Sequence, residues 1–265
     1  MTTDLASQWH GEEGGPPDLV ILHGLLGSSR NWQGVGRVLG ERMRVAALDL
    51  RNHGGSPWQE ESGYAAMVED VVNWLRAHAP HPVILLGHSL GGKVAMALSC
   101  QYPDLVRGLV VVDIAPVRYP PRWEREFAVM EGFDPAKLTS RRPVEEALAA
   151  VNDSWAFRKF LVSNLVRNPN GEGFRWQVNL PVLREALPEL LGSSLRENDG
   201  YHGPTLVIRG EDSDHVQEAH RELFTRHFPD SRIVTIPHAG HNVHADQPTA
   251  FLEALAVATW GMKVD

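Results

Sequence analysis

Five short runs of uninterrupted apolar residues constrain this chain more than any other feature. They read DLVIL (18–22), RVAALDL (44–50), PVILLG (82–87), GLVVVDI (108–114) and TLVIRG (205–210). A strand with one face in water alternates apolar and polar side chains, whereas a strand covered on both faces does not. The runs therefore predict strands of a parallel sheet sandwiched between helices. A sixth run, RIVTIP (232–237), is more amphipathic and is expected near an edge. Helical stretches fall between them: 64–78 has apolar positions at helical spacing, 90–101 is rich in small and apolar residues, and 248–260 opens on a proline suited to a first turn. Strand–helix alternation predicts an α/β class, with a mostly parallel, doubly wound sheet whose ligands bind at the strands' carboxyl ends. Polar residues punctuate those ends at His23-Gly24, Asp49, Gly87-His88-Ser89, Asp113 and Gly210.

The alternation fails between Ile114 and Pro204. That stretch carries prolines, helix-like pieces and the aromatics Trp123, Phe127, Trp155, Phe157, Phe160, Phe174 and Trp176. A loop of that length does not fit inside a compact domain. The expectation is an inserted helical cap over 116–203, with residues 1–115 and 204–265 forming the core. A chain of 265 residues suits one large domain with such a lobe.

The formal net charge of −8 argues against a nucleic-acid-binding surface, which needs clustered cations. The pairs Arg122/Arg125 and Arg141/Arg142 read as solvated faces. The single cysteine, Cys100, cannot form an internal disulfide, and its apolar helical setting predicts a buried, inert thiol. The N-terminal MTTDLASQWHGEEGG lacks the apolar core of a signal peptide. No apolar run approaches the roughly 20 residues of a membrane span. A soluble, cytoplasmic protein without a membrane span is expected.

The chemistry is concentrated at Gly87-His88-Ser89-Leu90-Gly91, a G-x-S-x-G pattern between a strand and a helix. The chain must reverse sharply there. Side chains two residues before and after the serine would clash, so glycine flanks it. The serine oxygen then projects above the sheet, and the helix N-terminus beneath favours developing negative charge. A hydroxyl is a poor nucleophile until a base takes its proton. Of 13 histidines, His238, His241 and His244 follow the last strand in PHAGHNVHADQP. His241, after Gly240 in mid-loop, is best placed to swing over the strand ends. His238 reads as structural, and His244 as packing or capping the next helix. An oxyanion hole needs two backbone N–H donors. Leu90, after the nucleophile, supplies one; Leu25, in the His23-Gly24-Leu25-Leu26-Gly27 loop, is chosen for the other. His23 and His88 read as structural.

These motifs resemble the α/β-hydrolase superfamily over most of the chain: HGLLGSSRNW, LDLRNHGGS, GHSLGGKVAMAL and AGHNVHADQP, in the order Ser…Asp…His. More narrowly they resemble YbfF-type esterases, through DLRNHGGSP in place of the commoner D-x-R-G-x-G, VVDIAPV, and FRWQVNLPVL inside the cap. The resemblance implies hydrolysis of carboxylic esters, or of acyl thioesters, through an acyl-enzyme and without a cofactor. In most of the superfamily the acid sits in a G-x-x-D turn after the 205–210 strand. Here that turn is Gly210-Glu211-Asp212-Ser213, so Ser213 stands at the usual acid position, flanked by Asp212 and Asp214. Asp113, closing the preceding strand, is the alternative. The YbfF-type resemblance places the triad acid at Asp113, with Ser213 giving an auxiliary hydrogen bond near the histidine. No metal is expected, since the histidines lack zinc-ligand spacings. Small-molecule esters or thioesters are the expected partners. C–C bond hydrolysis or lyase chemistry, which keeps the serine, and a ligand-binding sensor with residual turnover are the other readings. A carboxylate-nucleophile reaction is disfavoured by Ser89.

Overall fold

The computed structural model describes residues 4–169 and 171–257. Its centre is a seven-stranded sheet in the order β1-β3-β2-β4-β5-β8-β9. The apolar runs form β2 (Leu19–Leu22), β3 (Val45–Leu48), β4 (Val83–His88), β5 (Val106–Val112) and β8 (Thr205–Gly210). All are parallel, as is β9 (Ser231–Ile236) beside β8. β9 closes one edge and is only partly buried, as its amphipathic sequence predicts. The other edge is β1 (Ser7–His10), which pairs antiparallel with β3. Its polar, half-buried SQWH carries no strand signal in the sequence.

Alternate residues of the central strands serve two hydrophobic clusters. Leu19, Ile21, Ile84 and Leu86 face α1 (Gln33–Leu39), α9 (Val243–Asp246) and α10 (Pro248–Val257). Val20, Leu22, Leu85 and Leu109 face α2 (Tyr64–His78), α3 (Leu90–Gln101) and α8 (Arg221–His227). Burial on both faces explains why these strands do not alternate; each fully buried Leu or Ile is worth about 1.5–3 kcal/mol. The helix expected over 248–260 is described to Val257, and 258–260 lie outside the described residues.

Between β5 and β8 the chain forms α4 (Glu124–Glu131), α5 (Arg142–Ala149), α6 (Trp155–Val162) and α7 (Leu180–Leu190). A two-stranded antiparallel sheet of β6 (Leu165–Arg167) and β7 (Phe174–Trp176) joins them, so the segment is not purely helical. Phe127, Met130, Leu161 and Leu183 of this insertion are buried in the same cluster as α2 and α3. Of its aromatics, Phe127, Phe174 and Trp176 are buried in that cluster, whereas Trp155 is exposed. No helix among the described residues is long and apolar enough to cross a membrane.

Candidate active site

Ser89 lies between the end of β4 and the start of α3 with φ 52° and ψ −116°. L-residues avoid that region, at a cost of about 1–3 kcal/mol. The flanking glycines are steric necessities. A Cβ on Gly87 would lie 2.1 Å from the Gly91 carbonyl oxygen, and one on Gly91 would lie 2.4 Å from that of Leu22. The turn therefore lifts Ser89 above the sheet, at the N-terminus of α3. Leu25 and Leu90 line the same cavity as Ser89 and His241.

His241 lies in the loop between β9 and α9. Its Nδ1 is 2.8 Å from Asp113 Oδ2. Asp113 follows β5 with φ 50° and is fully buried. Its Oδ1 accepts the Gly210 N–H at 3.0 Å, and Oδ2 also accepts the Ser213 hydroxyl. With Nδ1–H donating to the carboxylate, His241 Nε2 is left for another partner. His88 Nε2–H donates to the His241 carbonyl at 2.9 Å, bracing the loop from below. The structure thus brings Ser89, His241, Asp113 and Ser213 together. It does not bring Asp212 or Asp214 to His241. Asp212 is exposed, and Asp214, with 73 % of its side chain exposed, lies 3.2 Å from His215 Nδ1.

His215 and Arg122 are additions that the sequence did not announce. The His215 ring stacks on His241 at 3.7 Å between centroids, 17° from parallel. Arg122 Nη1 donates to His215 Nε2 at 2.9 Å. Arg122 is therefore half-buried in the site rather than on a solvated face, which corrects the reading of the Arg122/Arg125 pair. Arg142 does pair with Glu146 on an exposed helix face. The one available signal for His215 was its place two residues after Ser213 in the same turn.

Burial dominates the electrostatics. It lowers the His241 imidazole below the usual histidine range, helped by the Arg122 charge. His215 is held at about 4, first by burial and then by its neighbour His241. Burial lifts the Asp113 carboxyl, while hydrogen bonds from Ser213 and Gly210 oppose the rise. Both imidazoles are thus neutral at pH 7, as a proton-accepting base must be. Asp113, His215 and His241 offer ligand atoms within 4.8 Å of one another. The two rings lie face to face, however, so their in-plane lone pairs do not converge on one ion.

The remaining histidines behave as packing and loop elements. His244 stacks on Trp32 at 4.0 Å, and His238 is exposed with φ 55°. His23 Nδ1–H donates to the Gly24 carbonyl at 2.8 Å, and its Nε2 accepts the Leu50 N–H at 3.0 Å. Cys100 is half-buried, and burial pushes its thiol up to about 12, which makes it unreactive.

Two cavities meet at Ser89. The smaller, about 40 Å³, is lined by Leu90, Lys93, Tyr119 and Arg122. The larger, about 440 Å³, runs under α6 and is lined by Trp123, Phe157, Phe160 and His244.

A family model described as the alpha/beta hydrolase fold matches residues 17–248. The chain belongs to that family. It is 38 % identical over 247 residues to the sn-1-specific diacylglycerol lipase ABHD11 of Mus musculus, covering 90 % of this chain and 80 % of that one. It is 34 % identical over 238 residues to Esterase YbfF of Escherichia coli (strain K12), covering 89 % and 91 %. A solved structure described as a marine microorganism esterase superposes with a TM-score of 0.90 at 33 % identity, covering 97 % of this chain and 99 % of that one.

Proposed function

We propose that the chain hydrolyses carboxylic esters through an acyl-enzyme on Ser89, with His241 as general base and acid and Asp113 as its orienting carboxylate. The enzyme class, carboxylic ester hydrolase, is common to the named relatives, and the chain belongs to it. The finer mechanism is supported above all by one observation. A neutral His241, held through Nδ1 by a buried carboxylate, shares both cavities with a serine on a strained strand–helix turn.

In this reading Ser89 Oγ attacks the carbonyl carbon while His241 Nε2 takes its proton. The carbonyl oxygen becomes an oxyanion facing the N–H groups of Leu25 and Leu90. Collapse of the tetrahedral species breaks the bond to the leaving oxygen, or sulfur for a thioester, which receives the proton from His241. Water repeats the sequence and frees the acid. Asp113 stabilises the imidazolium formed in each half. Ser213 supports Asp113 rather than the histidine directly. Segment 116–203 serves as a cap over a core of 1–115 and 204–265. The unequal cavities suit an ester with one bulky apolar arm and one short arm, the bulky arm lying under Phe157 and Phe160.

The test combines labelling and kinetics. A fluorophosphonate should label Ser89, and p-nitrophenyl butyrate should give a burst of nitrophenolate followed by steady turnover. Folded wild-type protein that neither labels nor turns over the ester sinks the proposal.

A further inference from the structure

The proposed oxyanion donor Leu25 sits in a turn that is strained where it can least be tolerated. The Gly27 N–H donates to the Gly24 carbonyl at 2.9 Å, which makes residues 24–27 a β-turn. Its third residue, Leu26, has φ 58°. Turns with positive φ at that position normally place glycine or asparagine there. A leucine gains by relaxing, and the route is a flip of the peptide between Leu25 and Leu26. Such a flip would set the Leu25 carbonyl against the His53 lone pair, and the loop, shifting to relieve that contact, would carry the adjoining Gly24–Leu25 peptide and its oxyanion-facing N–H out of aim.

Two buried side chains oppose it, one from each part of the fold. His53 Nε2 accepts the Leu26 N–H at 3.1 Å. Its Nδ1 lies 2.9 Å from the Arg51 carbonyl, so Nδ1 carries the hydrogen and Nε2 presents a lone pair. His53 is fully buried. Burial holds its imidazole at about 3, so it stays an acceptor at any working pH. On the other side, Asn164 Nδ2 donates to the Leu26 carbonyl at 2.9 Å. Asn164 is 5 % exposed and belongs to the insertion, between α6 and β6. Its own carbonyl is fixed by the Gln177 N–H at 2.8 Å.

We infer that His53 and Asn164 are positioning residues that clamp the two peptide groups flanking Leu26 and so aim the Leu25 N–H at the oxyanion. The same geometry gives a purpose to the sequence Asn52-His53, where the family's commoner form has glycine followed by any residue. Asn52 occupies the glycine position with φ 65°, which asparagine tolerates. It accepts the Asn179 N–H on its carbonyl at 3.0 Å and the Asn179 Nδ2–H on its side chain at 3.1 Å. Asn179 precedes α7, so one dipeptide docks the insertion and steadies the oxyanion loop. The insertion is therefore a part of the oxyanion machinery as well as a cover.

The inference rests on Ser89 being the nucleophile. Asn164→Ala, Asn164→Asp, His53→Leu and His53→Gln are assayed on p-nitrophenyl butyrate beside wild type and Ser89→Ala, with folding checked by circular dichroism. Loss of a whole oxyanion donor costs about 10²–10³ in kcat, so misaiming one should cost about 10- to 100-fold, with KM within about threefold. Inhibition by an alkyl trifluoromethyl ketone, which forms an oxyanionic adduct on the serine, should weaken by the same factor. Inhibition by the matching methyl ketone, which forms no such adduct, should not change. Asn164→Asp, near in shape but lacking the donor, should resemble Asn164→Ala, and His53→Gln should recover part of the loss of His53→Leu. Wild-type kcat in folded Asn164→Ala overturns the inference, and so does a loss shared equally by both ketones. Undiminished turnover by Ser89→Ala instead removes the nucleophile reading on which the inference stands.

Discussion

The two flanks of Ser89 are made of different materials. On the base flank, side chains form the site: His241, Asp113, Ser213, His215 and Arg122 run in a continuous chain of hydrogen bonds and stacked rings. On the proposed oxyanion flank the donors are backbone N–H groups, and side chains hold that backbone, through His53, His23 and Asn164. In the proposed mechanism the first flank changes charge during each turnover. The second has to present the same two dipoles throughout, and its buried histidines are kept neutral by desolvation. A proton relay needs titratable groups, whereas an oxyanion hole needs groups that never titrate.

The contrast breaks most visibly at the nucleophile and base. Ser89→Ala or His241→Ala should each lower kcat about 10⁶-fold, judged by steady-state assay on a short-chain nitrophenyl ester. Losses under about tenfold would mean that the base flank is not the chemical one. Next comes the carboxylate. Asp113→Asn should lose about 10⁴ in kcat, since the imidazole would take the wrong tautomer. Asp212→Asn and Asp214→Asn should stay within about fivefold, because neither touches His241. Reversal of that order would return the acid to the β8 turn.

The pH dependence sharpens the difference further. His241 must be neutral to accept the serine proton, and burial lowers its ionisation. The acid limb of kcat/KM should therefore lie below pH 6.5, the ordinary histidine value, with activity falling as pH drops. Stability should respond to the buried histidines of both flanks, His53 among them. The unfolded chain takes up a proton on His53 near pH 6.5, while the folded chain resists until about 3. Its contribution is intact above about pH 6.5 and is lost as pH falls towards 3, at about 1.4 kcal/mol per pH unit. Melting followed between pH 7.5 and 4.5 should show this fall, and His53→Gln should make it shallower, the other buried histidines supplying the rest. The smallest effect concerns the large cavity. Phe160→Ala should shift chain-length preference towards longer esters by about 10-fold or less, read as a ratio of kcat/KM values.

What could be read from the sequence was whatever is written in contiguous residues. The central strands announce themselves because both faces are buried, and the elbow because its steric demand fixes glycines around Ser89. β1 is silent, since SQWH pairs through its backbone and exposes its polar side chains in part. β6 and β7 are three residues each, too short for a period to show. Asp113 and Ser213 meet across 100 positions, and Arg122 and His215 across 93. No spacing rule spans such intervals. Asp113 stood out in the sequence only as a carboxylate closing a strand, which the resemblance then favoured as the acid, and the Arg122–His215 bond left no sign at all. Asn164 is the same case, because a buried amide on one peptide carbonyl leaves no mark on the residues around it.

Lys93 carries a consequence for how substrate arrives. It is 2 % exposed, four residues past the nucleophile, and its Nζ donates to the Val117 carbonyl at 2.9 Å and the Gly192 carbonyl at 2.5 Å. Those carbonyls lie where the chain leaves the sheet after β5 and where it comes back after α7. One nitrogen thus acts as a rivet through both legs of the arch, and the insertion cannot lift like a hatch without shearing it. The far span, where α6 overhangs the large cavity, is tied down differently, through the Asn164 side chain on the Leu26 carbonyl.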